Sequence, residues 1–150
     1  MTISRGFLSL LMEEGERRPF EGKLLTFGRQ DLGFTNSEFR SLLTRYHHRT
    51  WPSNGAATPS DDKELFQHLG FAEVNSLDYS NFEGATVAFD LNQTDLPAEL
   101  VGQYDVVLDG GTSEHVFSIQ NVLRNAVRLT KIGGRVIFFT PSSNHLEHGI

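Results

Sequence analysis

The chain has 150 residues, 38% of them hydrophobic and 21% charged, the balance of an ordinary globular domain that buries about two-thirds of its unfolded surface in one core. A formal net charge of -6 supplies no basic field to hold a phosphate backbone, so nucleic acid is not expected as a partner. The absence of cysteine excludes disulfides, thiolate metal sites and cysteine nucleophiles, and fits a reducing, cytoplasmic setting.

Ile3, Phe7, Leu10 and Leu11 recur at helical spacing and predict an amphipathic N-terminal helix over residues 1–15, ending near Gly15. The apolar stretch Phe7 to Met12 is short, interrupted by Ser9 and followed by Glu13 and Glu14, which is not the layout of a signal peptide. No apolar run approaches the roughly 20 residues of a membrane span. Leu24 to Gly28 is an apolar run closed by glycine and predicts a first strand buried on both faces. Thr35 and Glu38 have capping-box spacing, and Phe39, Leu42, Leu43 and Tyr46 then share one helical face. Residues 49–60 have loop composition, and Ser60 is placed to cap a second helix, Asp61 to Leu69, stopped by Gly70.

Three apolar runs then end in aspartate: Phe71 to Asp78, Ala85 to Asp90 and Tyr104 to Asp109. Each reads as a strand that delivers a carboxylate to its C-terminal end. Ile119, Val122, Leu123, Ala126 and Val127 form a helical stripe, after which Gly133-Gly134 turns the chain into a fifth strand, Arg135 to Thr140, stopped by Pro141. No internal repeat or low-complexity tract divides the chain, and residues 1–150 read as a single domain.

Strands alternating with helices imply an α/β fold with a doubly wound, mostly parallel sheet, whose ligands bind outside the C-terminal strand ends where the strand order reverses. Crossing back from the third strand past two others requires a reach of about 14 Å at the usual strand spacing. The residues between Asp90 and Tyr104 can span it, so the order 3-2-1-4-5 is geometrically allowed. Chemistry is therefore expected at Gly28, Asp78, Asp90 and Asp109.

The run Tyr104-Asp-Val-Val-Leu-Asp-Gly-Gly-Thr-Ser-Glu-His-Val116 resembles the fourth-strand motif of class I S-adenosylmethionine-dependent methyltransferases. Leu129-Thr-Lys-Ile-Gly-Gly-Arg-Val-Ile-Phe-Phe-Thr-Pro141 is similar to the same family's Gly-Gly turn and fifth strand. Gly28-Arg-Gln-Asp31, Asp109-Gly-Gly-Thr112, Glu114-His115 and Asn144-His-Leu-Glu-His-Gly149 together resemble a bacterial methyltransferase-like sub-family. The resemblance implies a Rossmann-like fold and S-adenosylmethionine as cofactor. It implies that Asp78 accepts hydrogen bonds from the ribose hydroxyls and that Asp90 contacts the adenine. Tyr79, Leu91, Asp109 and Gly110 complete the cofactor site by the same likeness. The first-strand loop departs from the family's Gly-x-Gly-x-Gly: Gly28 permits close backbone approach, while Arg29 and Gln30 stand where glycines are usual, and by the resemblance all three are expected to contact the cofactor. Arg29 is a candidate partner for the cofactor's carboxylate, with a surface pair to Asp31 as the alternative. For Asp78 and Asp90 the alternative is a turn or cap aspartate.

A sulfonium methyl donor is already activated, so positioning and water exclusion carry most of the reaction. His115 and His145, past the fourth and fifth strands, are the candidate bases for a hydroxyl or amine acceptor, and structural roles are the alternative for both. Glu114 is assigned to the dipole of a helix start. No metal is expected. Family members carry strands six and seven after the fifth, and this sequence stops at Ile150, so it reads as a truncated domain with strand five as an open edge and a homodimer formed through it. The function expected is methyl transfer to a small-molecule or sugar-containing acceptor. A non-catalytic methyltransferase-like binding or scaffolding module is the alternative. A nicotinamide-dependent oxidoreductase would want Gly-x-Gly-x-x-Gly opening a helix, which the chain lacks.

Overall fold

A computed structural model describes residues 2–46 and 58–140. Five strands, β2 (Lys23–Phe27), β4 (Glu73–Asp78), β5 (Val87–Ala88), β6 (Tyr104–Asp109) and β7 (Thr130–Phe138), form one parallel sheet in the order β5-β4-β2-β6-β7. The fold is therefore α/β, with helices on both faces of a parallel sheet, an arrangement compatible with Rossmann-like architecture. From β2 the chain builds outward through β4 to β5, then returns past β2 to lay down β6 and β7.

The period-two alternation of strand side chains creates two cores. On one face Leu24 of β2 and Val106 and Leu108 of β6 pack against helices α1 (Arg5–Arg17), α2 (Asn36–Tyr46) and α3 (Asp62–Leu69), through Phe7, Leu11, Phe39 and Phe66. On the other face Leu25, Phe27, Leu77 and Val107 pack against α4 (Ile119–Leu129) through Val122, Ala126 and Leu129. No helix among the described residues is long and apolar enough to cross a membrane.

Several boundaries differ from the sequence expectation. The N-terminal residues are not helical from the start: Thr2–Ser4 forms a short strand, β1, pairing in parallel with β3 (Asp31–Gly33), a strand the hydrophobic pattern did not announce. Ile3 is fully buried there, and α1 begins only after Ser4, whose hydroxyl accepts from the Phe7 N–H at 3.2 Å. Gly15 lies inside α1, which continues to Arg17 just before Pro19. The Thr35–Glu38 capping box forms reciprocally, with the Glu38 N–H donating to Thr35 Oγ1 and the Thr35 N–H donating to Glu38 Oε2. The cap of α3 is Asp61, not Ser60, and Ser60 instead donates to the Glu64 carboxylate. The predicted loop lies mostly outside the described residues.

The strand expected over Ala85 to Asp90 pairs only at Val87 and Ala88, so Asp90 stands in a turn beyond it. In α4 the predicted stripe is half wrong in facing: Ile119, Leu123 and Val127 are exposed, and Asn125 and Leu129 take their place beside Val122 and Ala126 in the interior. Gly133-Gly134 is not a turn before the fifth strand. It sits within β7 as an irregularity that shifts the register between Tyr104↔Thr130 and Val106↔Arg135, with Gly133 at φ 79°.

One arginine fastens this outer strand to the N-terminal part of the chain. Arg135 donates to Glu14 Oε1 at 3.0 Å and to the carbonyls of Arg18 and Pro19 at 2.8 and 3.1 Å, with its guanidinium 4.5 Å from the Phe20 ring centroid.

Candidate site at the C-terminal strand ends

The sheet presents five C-terminal ends along one edge, and the reversal of strand order falls between β2 and β6. Gly28 follows β2 in the left-handed region, φ 70°, which a side chain would resist. Its N–H donates to the Leu77 carbonyl at 2.7 Å, so the loop after β2 is stitched to the strand that ends in Asp78. Asp78 is half-buried, and its Oδ1 accepts from the Tyr79 N–H at 2.6 Å. Its second oxygen has no hydrogen-bond partner among the described residues. Tyr79 itself is 77% exposed.

Arg29 does not pair with Asp31. Its guanidinium meets Asp62 of α3 through two bonds, Nη2 to Oδ1 at 2.5 Å and Nε to Oδ2 at 3.2 Å, and the Gln30 backbone N–H donates to the same Oδ2 at 2.8 Å. Asp62 is 3% exposed, so its carboxylate is desolvated and fully engaged. The role expected for Arg29 toward a cofactor carboxylate is thus taken by a carboxylate of the chain itself. Asp62 went unnoticed in the sequence, although Asp61-Asp62 offers one more aspartate than a helix cap needs.

Gln30 is buried between the ends of β2 and β6. Its Nε2 donates to the carbonyls of Phe27 and Gly28 at 3.2 and 3.3 Å. Thr112 Oγ1 donates to the same Phe27 carbonyl at 2.8 Å, a second tie across the crevice.

Asp109 is completely buried. Its Oδ1 accepts from the N–H groups of Gly111 and Thr112 at 3.1 and 2.7 Å, and its Oδ2 from that of Ser113 at 3.2 Å. The carboxylate holds the turn after β6, and its side chain faces backbone donors instead of an open site. Gly110 abuts Gln30.

Asp90 accepts from the Asn92 backbone N–H and side-chain amide, both at 2.9 Å, and the backbone bond first, with the amide second, holds its carboxyl below the usual aspartate range. Asn92 in turn accepts from the Ser118 N–H at 3.0 Å, which docks this turn onto the start of α4. Leu91 is 5% exposed and belongs to the second core, which removes it from the edge. The structure therefore brings Gly28, Gln30, Gly110 and the neighbouring Asp78 strand together, and sets Asp90 apart in its own turn.

His115 lies in a 3-10 turn, Ser113–His115, with its Nε2 4.0 Å from Glu114 Oε1 and its side chain 53% exposed. Glu114 belongs to this turn and not to the first turn of α4, so it does not serve that helix's dipole. His145 lies outside the described residues. Among the described residues no group of three or more His, Asp or Glu side chains converges as a metal site.

Protein-family models, curated proteins and solved structures give no match to this chain.

Away from the strand ends, a groove of about 610 Å³ runs between α1 and β7, lined by Leu10, Glu13, Arg17, Val136 and Phe138 among others. It follows the outer edge of the sheet, where β7 has no partner strand on its far side among the described residues.

Proposed function

We propose that the chain is a cytoplasmic S-adenosylmethionine-dependent methyltransferase of Rossmann-like fold that acts on a small-molecule or sugar-containing acceptor. The observation that carries this reading is Asp78: a half-buried carboxylate at the C-terminal end of the strand beside the order reversal, with one oxygen held by a backbone N–H and the other open. A vicinal diol suits such an acceptor, since one carboxylate can accept hydrogen bonds from both hydroxyls. The cofactor would supply an activated methyl group. The chain's own part is to hold the ribose at Asp78, accept the backbone approach that Gly28 allows, and offer His115 at the exposed turn after β6 as a base toward the acceptor.

Titration calorimetry with S-adenosylhomocysteine tests this. Micromolar binding is expected, and Asp78→Ala is expected to weaken it by about 10- to 100-fold, the range for losing hydrogen bonds to a charged acceptor. Unchanged affinity in Asp78→Ala removes the aspartate from the site. Binding of neither S-adenosylmethionine nor S-adenosylhomocysteine favours the second reading, a non-catalytic scaffolding module, to which the Arg29–Asp62 pair lends support by occupying the guanidinium of the loop after β2.

The open edge of β7 belongs to the same reading. Backbone groups on the outer edge of this nine-residue strand, which has no partner there among the described residues, are a template for a second strand, and we infer a homodimer through it. Light scattering is expected to give twice the 16.8 kDa chain mass. A monodisperse monomer overturns this interface.

A further inference from the structure

At the order reversal the Gln30 side chain lies buried between the ends of β2 and β6. Gln30 is 4% exposed, with its Nε2 on the Phe27 and Gly28 carbonyls. Those two acceptors fix the orientation of the carboxamide, because a flipped head group would set oxygen against oxygen. Its Oε1 therefore points the other way, and there it finds no hydrogen-bond partner among the described residues. What it meets is Gly110: a Cβ at that position would lie 2.4 Å from Oε1 and 3.1 Å from the Phe7 ring. Glycine at 110 leaves the carboxamide its space.

The backbone and the side chain of Gln30 are held very differently. The backbone N–H is bonded to buried Asp62, which also grips Arg29, so the main chain is fixed. The side chain has three rotatable bonds, two long hydrogen bonds and a buried acceptor left unsatisfied, a state that favours any arrangement in which the oxygen is bonded.

We infer that Gln30 is a displaceable plug: its side chain swings out on a fixed backbone to admit a nucleoside ligand to the crevice between β2 and β6. The identity of the ligand rests on the methyltransferase reading; the plug itself does not. Apparent affinity is then reduced by the fraction of molecules in which the plug is out, and removing the side chain restores it.

The experiment uses wild type, Gln30→Ala and Gly110→Ala, with S-adenosylhomocysteine as the probe and two readouts, calorimetric affinity and NMR hydrogen exchange of the Gln30 carboxamide. Gln30→Ala is expected to bind at least about tenfold tighter than wild type. The Nε2 protons, protected in the free protein, are expected to lose protection when the ligand saturates. Equal or weaker binding by Gln30→Ala overturns the plug, as does a carboxamide that stays protected in the complex. Binding by neither protein defeats the cofactor reading, and the free proteins then decide the plug alone. Gly110→Ala drives a methyl group into the space of Oε1 and is expected to abolish carboxamide protection while circular dichroism is unchanged. Protection that survives this variant, or that is absent in wild type, overturns the inference.

Discussion

Asp109→Ala is expected to lower the unfolding free energy by about 2–4 kcal/mol, read as a shifted midpoint in urea denaturation. The fully buried carboxylate satisfies three consecutive backbone N–H groups, of Gly111, Thr112 and Ser113. Alanine leaves those donors without an acceptor in a turn that water reaches poorly, at about 1–3 kcal/mol for a buried unsatisfied group. Asp109→Asn keeps one carbonyl oxygen for the Gly111 and Thr112 donors and places an amide against Ser113, so about half the loss is expected. The pair of variants also separates two roles for the residue. A turn-holding aspartate changes stability first. A ligand-binding one would change affinity for a nucleoside while leaving the urea midpoint in place.

Asp62→Ala and Arg29→Ala are each expected to cost about 3 kcal/mol: the first strands a guanidinium whose 35% exposure lets water recover part of its charge, and the second leaves the buried Asp62 carboxylate with only the Gln30 N–H. Losing Asp62 strands both the guanidinium and the buried Gln30 N–H. The double variant Arg29→Ala/Asp62→Ala is expected to be more stable than the sum of the single losses predicts by about 1 kcal/mol or more, since removing the cation relieves the unpaired charge. Additive losses would show that the two residues act independently. The coupling also bears on function: it keeps the loop after β2 in one conformation, and Asp62→Ala is the variant in which Arg29 becomes available to a ligand carboxylate.

The five strands were legible because each is an apolar run with a clear stop, and a parallel sheet buried on both faces needs no finer pattern. Their alternation with helices was enough to direct attention to one edge. Strand lengths were less legible. Arg135 to Thr140 contained the most apolar part of β7, but Thr130 to Gly134 also pair in the sheet, and hydropathy does not register pairing by polar and glycine residues. Ile3 was assigned to a helix because spacing of apolar residues cannot separate a helical position from one buried in a two-strand pair. The α4 stripe misled for a related reason: Asn125 is buried by donating to the carbonyls of Leu91 and Gln93, at 3.3 and 2.8 Å, a contact visible only once the chain has folded.

The candidate site shows the same division. Its placement at Gly28, Asp78 and Asp109 followed from strand ends. What each side chain does there was set by neighbours distant in sequence: Asp62 for Arg29, the turn donors for Asp109, and Gly110 for Gln30. An aspartate at a strand end looks the same in a sequence whether it faces a ribose or its own backbone.

The clasp of Arg135 on residues 14 to 19 has a consequence for how the molecule is made. Every pairing in the main sheet is parallel, so none can close as a local hairpin. The central strand waits for partners at positions 73 and 106, and the end of α1 waits for one at 135. On the ribosome β2 and α1 therefore emerge long before their anchors do, and their native contacts are complete only on the arrival of β7, which gives this part of the fold the slow kinetics of distant loop closure.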